Sequence, residues 1–97
     1  MAVSNVIEYW AFATTANSTD FGDLSAARTY MGCAFGDGTK GVVAGGSTDG
    51  STKTNIIEYV NIASLGNATD FGDLDAAKMR PAGCSNGPRG VIAGGQT

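Results

Sequence analysis

Two Asp-Phe-Gly triplets, Asp20-Phe21-Gly22 and Asp70-Phe71-Gly72, are the residues of this 97-residue chain that first invite a chemical reading. Such an Asp ligates Mg²⁺ when a Lys-bearing strand and a His-Arg-Asp loop surround it. The chain has no histidine and no room for those parts. The triplets therefore read as turns, each with a Phe that anchors a following strand. Asp20 with Asp23, and Asp70 with Asp73, could meet Ca²⁺ together with loop carbonyls. They lack the dense acidic spacing of a calcium loop, and Asp is an ordinary turn residue. No metal and no cofactor are expected.

Glu8 and Glu58 interrupt otherwise apolar runs, VIEYWAFA (6–13) and IIEYVNIA (56–63). A carboxylate in such a setting needs a cation or hydrogen-bond donors. Arg28, Lys78, Arg80 and Arg89 are the candidate partners, and structural pairing is the reading favoured over catalysis. General acid–base work needs convergent polar groups, and no nucleophile-and-base set is visible. The chain reads as non-enzymatic. Cys33 and Cys84 each follow a Gly at matching places and are expected to be buried free thiols, too far apart for a disulfide. The sequons at Asn17 and Asn67 are read as turn asparagines.

The elements that carry these residues follow from composition. Hydrophobic residues make up 42% of the chain against 15% charged, which argues against disorder. Fifteen glycines and β-branched or aromatic apolar runs without a 3.6-residue period predict an all-β fold with many tight turns. The net charge of −3 supplies no basic stripe for nucleic acid. No apolar run approaches the ~18 residues that span a bilayer, and MAVSNVIEYW has no signal-peptide pattern. The expectation is a soluble protein made in the cytoplasm, with neither membrane nor nucleic acid as partner.

The chain repeats itself. Residues 5–28 and 55–78 agree at 14 of 24 positions, including all of TDFGDL, and GVVAGG (41–46) answers GVIAGG (90–95). A period near 50 made of short β segments is the mark of a propeller blade. Each unit offers four strands: 6–13 or 56–63; a short strand starting near Phe21 or Phe71; AARTYMGCAF or AAKMRPAGCS; and GVVAGG or GVIAGG. The closing pairs Gly45-Gly46 and Gly94-Gly95 permit positive φ.

The order L-x-A-A-R/K, G-V-V/I-A-G-G, I-E-Y, D-F-G-D-L resembles the kelch repeat over nearly the whole chain. Arg28 and Lys78, the two Gly pairs, Tyr9 and Tyr59, and Phe21 and Phe71 fill the family's places. Phe stands where kelch repeats usually carry Trp, so the chain is kelch-like rather than a standard member. NATDFGDL…GCSNG also resembles tandem repeats of virion proteins encoded by marine phages. With strands named a to d from the axis outward, the kelch order implies two repeats, 5–46 and 55–95, each c-d-a-b. One blade would be complete at about 26–74. The other would be shared between neighbouring chains.

Propellers close with about 4–8 blades, so two cannot close alone. Exposed strand edges and blade faces favour head-to-tail association of the chain with itself. A trimer of six blades is favoured, with tetramer or pentamer as alternatives. The resemblance places Arg28 and Lys78 at the mouth of a central channel, where with Arg80 they could contact an anion, an acidic peptide or a glycan. The expected role is a self-assembling structural or binding module, with a virion protein or glycan as possible partner. The near-identity of the units and their clean limits equally suit an engineered or evolutionary-model propeller fragment with no natural ligand.

Overall fold

The computed structural model describes residues 2–31 and 34–97. Eight strands follow one another: β1 (Ser4–Tyr9), β2 (Thr19–Arg28), β3 (Ala34–Gly36), β4 (Lys40–Ala44), β5 (Thr54–Asn61), β6 (Thr69–Lys78), β7 (Ala82–Ser85) and β8 (Gly90–Ala93). No helix occurs among the described residues, and so none is long and apolar enough to cross a membrane. The chain is all-β. Its strands form three antiparallel sheets, β1-β2, then β3-β4-β5-β6, then β7-β8, with every ladder joining sequence neighbours.

Several expected boundaries move, each for a physical reason. TDFGDL is not a turn followed by a short strand: β2 and β6 begin at Thr19 and Thr69 and run ten residues to Arg28 and Lys78. Ladder bonding to β1 and β5 satisfies these backbones and overrides the turn preference of Asp and Gly. The Ala pairs therefore finish these strands instead of opening the next ones. The break falls at Tyr30 (φ 54°) and Arg80 (φ 57°), two left-handed residues that turn the chain towards β3 and β7. The four-stranded sheet thus spans residues 34–78 rather than about 26–74.

The first apolar run also ends early. β1 stops at Tyr9, whereas its repeat β5 continues to Asn61. The difference lies in the neighbour: β4 holds Val60 opposite Gly41 and Asn61 opposite Lys40. Among the described residues β1 pairs only with β2, so residues 10–13 leave the ladder.

The two long hairpins share two register shifts, one between Ser4 and Val6 or Thr54 and Ile56, the other between Ile7 and Glu8 or Ile57 and Glu58. Ile7 and Glu8 face Gly22 and Asp20, and Ile57 and Glu58 face Gly72 and Asp70. Phe21 and Phe71 are the extra residues, which is a β-bulge at the same place in each copy. Each Phe meets the Tyr of its hairpin edge-on, Tyr9–Phe21 at 5.9 Å and Tyr59–Phe71 at 6.1 Å between ring centroids.

Polar caps close the turns. Asp37 Oδ1 accepts from the amides of Thr39 (2.9 Å) and Lys40 (2.7 Å), while Asn86 Oδ1 accepts from Arg89 at the matching hairpin. Buried Ser47 opens the long loop, its Oγ accepting from Gly50 N at 2.8 Å. Gly45 and Gly46 (φ 72° and 98°) and Gly94 and Gly95 (φ 69° and 98°) take the positive φ expected of them.

The core is thin. Among the described residues its buried apolar members are Phe21, Leu24, Ala44 and Met79, whereas Val6, Trp10, Phe12, Ile62, Leu65, Phe71 and Val91 are exposed. The accessible surface is 5982 Å², against about 5,200 Å² for a compact monomer of this mass. The excess is of the size that one partner contributes to a standard interface, about 800 Å².

Candidate functional site

The strongest polar feature is the junction between the β1-β2 sheet and the four-stranded sheet. Arg28, at the end of β2, and Glu58, in the middle of β5, form an ion pair with both side chains buried. Arg28 Nη1 also donates to Gly45 O at 3.1 Å, and the Ser25 amide lies 3.4 Å from both Glu58 oxygens. Among the described residues, Arg28 Nε has no hydrogen-bond partner. Burial pulls the Arg28 pKa below its ordinary value, because desolvation disfavours the cation. A guanidinium still keeps its proton, so the charge persists inside and Glu58 answers it.

The backbone joins the same junction. Residues 66–68 run beside the outer edge of β2: Gly66 N donates to Phe21 O (3.0 Å) and Ala68 N to Asp23 O (2.8 Å). Asn67 Oδ1 accepts from Asp23 N at 3.0 Å. Gly22 is required here, since a Cβ would run into the Gly66 carbonyl. On the inner side Gly46 N donates to Lys78 O (2.9 Å), and Arg80 N to Tyr30 O (2.8 Å).

The second copy of each group sits in the opposite environment. Phe21 is 7% exposed and Phe71 64%. Glu58 is fully buried, while Glu8 is exposed and accepts only from Ser18 Oγ, at 2.7 Å, among the described groups. Ala44 is buried and Ala93 exposed. A Cβ on Gly72 would meet none of the described residues, unlike one on Gly22. Like residues in like local structure differ only in whether a neighbouring sheet covers them.

The expected channel-mouth residues separate. Arg28 faces inward and is spent on Glu58, so it offers no cation to a ligand. Lys78 is half-buried. Arg80 is exposed and stacks over the Tyr30 ring at 4.2 Å. Tyr59 carries the Lys40 ammonium 5.6 Å from its ring centre. The structure thus brings Arg28 to Glu58 but leaves Lys78 and Glu8 apart from it.

Two sequence expectations need correction. Cys84 is exposed rather than buried, and it is not the counterpart of Cys33. Cys84 faces Val91 as Phe35 faces Val42, so its counterpart is Phe35. The letters mislead because the chain has one residue more between Tyr30 and Ala34 than between Arg80 and Gly83. Cys33 lies outside the described residues. Asn67 is more than a turn former, since its side chain bonds across sheets. The recurrence of Asn at 17 and 67 was the available signal. No group of three or more His, Cys, Asp or Glu that could hold a metal occurs among the described residues.

No family model matches this chain, and no curated protein matches it.

Proposed function

We propose that this protein is a non-enzymatic, self-assembling propeller-like module that completes its sheets with further copies of itself, serving as a structural or binding surface. One observation carries the reading: repeat-equivalent residues are buried at the internal junction and exposed at the chain's outer faces, as with Phe21 at 7% and Phe71 at 64%. The surface excess and the exposed Val6, Trp10 and Val91 on or beside strands with one free edge support it. Head-to-tail association gives rings with an even number of blades, and six from three chains is the favoured case. A virion or tail setting follows from the resemblance of the NATDFGDL repeats alone.

Native mass spectrometry at low micromolar concentration tests this reading. A single species of three, four or five chains supports closure, and a stable 9.8 kDa monomer refutes it.

A second reading, anion or glycan binding at the axis, has one observation in its favour: Arg80 is exposed and held against Tyr30. Glycan-array binding that Arg80→Ala abolishes tests it.

A further inference from the structure

The internal junction supplies a template for a contact that the chain cannot make with itself. We infer that a second copy of this chain docks its β1-β2 hairpin on β8 and β6, with Lys78 of one copy paired to Glu8 of the next. The inference rests on the self-assembly reading and deepens it by naming the surface, the register and the polar lock.

Each contact is the observed one moved along by one repeat. Arg28 pairs with Glu58; Lys78 is the repeat counterpart of Arg28, and Glu8 that of Glu58. β4 pairs with β5 through Gly41↔Val60, Val42↔Tyr59, Val43↔Glu58 and Ala44↔Ile57. The β7-β8 register makes Gly90, Val91, Ile92 and Ala93 the equivalents of these β4 residues. The new ladder is then Gly90 to Trp10, Val91 to Tyr9, Ile92 to Glu8 and Ala93 to Ile7 of the second copy. It would extend β1 past Tyr9, as β4 extends β5.

The outer edge follows the same rule. The bonds from residues 66–68 to Phe21 and Asp23 become bonds from Ala16, Asn17 and Ser18 of the second copy to Phe71 and Asp73. The seat for that segment is open, because none of the described residues lies within 4 Å of a Cβ position on Gly72. Docking covers Phe71, Val6, Trp10 and Val91, which are large apolar side chains that the chain leaves exposed. The lock differs in one respect. Lys78 brings a single ammonium in place of a fork, and Ser18 already donates to Glu8.

Native mass spectra and dilution series are compared for the parent chain, Lys78→Glu, Glu8→Lys and the chain carrying both changes. Each single reversal sets like charges together at every junction and raises the dissociation concentration by on the order of 100-fold or more. The double change restores the opposite-sign pair and brings it back to within about 10-fold of the parent. Far-UV circular dichroism shows that the variant protomers remain folded. Gly72→Ala provides an independent arm: it fills the seat of residue 16 and abolishes assembly without touching a charge or the protomer's own packing. If the parent assembles while the single reversals and Gly72→Ala leave its mass unchanged, the docking surface is wrong and self-assembly stands. If the parent stays at 9.8 kDa, both fall.

Discussion

Replacing Glu58 by Gln keeps the shape of the side chain and one acceptor oxygen but removes the charge that answers Arg28. Both residues are buried, at 0% and 4% exposure, so water cannot take over the role of the carboxylate. Breaking a buried pair from one side costs about 3–5 kcal/mol. The retained amide oxygen places Glu58→Gln near the lower end, about 3 kcal/mol. With a urea slope of about 1.5 kcal/mol per M, the midpoint falls by about 2 M. Urea titration followed by circular dichroism at pH 7, on protomer dilute enough to be unassociated, measures this directly. Glu8→Gln is the matched control, with the same letter in the same local strand but exposed, and costs less than about 0.5 kcal/mol at that dilution. A compensated variant, Arg28→Met with Glu58→Leu, recovers to within about 1 kcal/mol of the parent, because both desolvation costs disappear together. Equal losses for Glu58→Gln and Glu8→Gln would refute the reasoning. So would a double variant no more stable than the single.

Gly22→Ala and Gly72→Ala diverge in the same dilute assay. The first forces a methyl into the Gly66 carbonyl and costs about 3 kcal/mol or more, while the second is nearly neutral. Ser47→Ala removes the buried acceptor of the Gly50 amide and lowers stability by about 1 kcal/mol, with faster amide exchange at Gly50. Two backbone hydrogen bonds, from Lys40 and Thr39, hold the Asp37 carboxyl below its ordinary pKa. Its contribution is therefore complete above the unfolded aspartate value of about 3.9 and fades as pH falls through the lower folded value. Carboxyl-carbon NMR titration of Asp37 gives a midpoint below that of an unstructured peptide, and Asp37→Asn abolishes this pH dependence.

What the letters reveal here is local. Strand identity, the glycine pairs at positive φ and the two-unit plan can be read from periodicity and repetition, because each depends on residues near one another in sequence. Strand ends are not legible where a neighbour decides them. Nothing in VIEYWAFA says that β1 lacks the flank that lets β5 run to Asn61. The turn preference of Asp and Gly hid the start of β2 and β6 at Thr19 and Thr69. At the junction, Glu58 announced itself as a charge in an apolar run, and Arg28 was among its candidate partners. Asn67 and Gly22 recur as letters, with Asn17 and Gly72, but recurrence does not name the partner of a bond across sheets. Cys84 was matched to the wrong residue because one extra position before β3 shifts letters and strands by different amounts.

The meander order of the strands has a further consequence. The β1-β2 hairpin reaches its seat on the four-stranded sheet through a few linking residues, so its local concentration there is of millimolar order. The same hairpin on another copy would compete at the concentration of free chain, a thousandfold lower at micromolar protein. If the proposed ring forms, every second seam would be stitched by the backbone and the others held only by mass action. Dilution would then open alternate seams and release two-unit pieces, never single units.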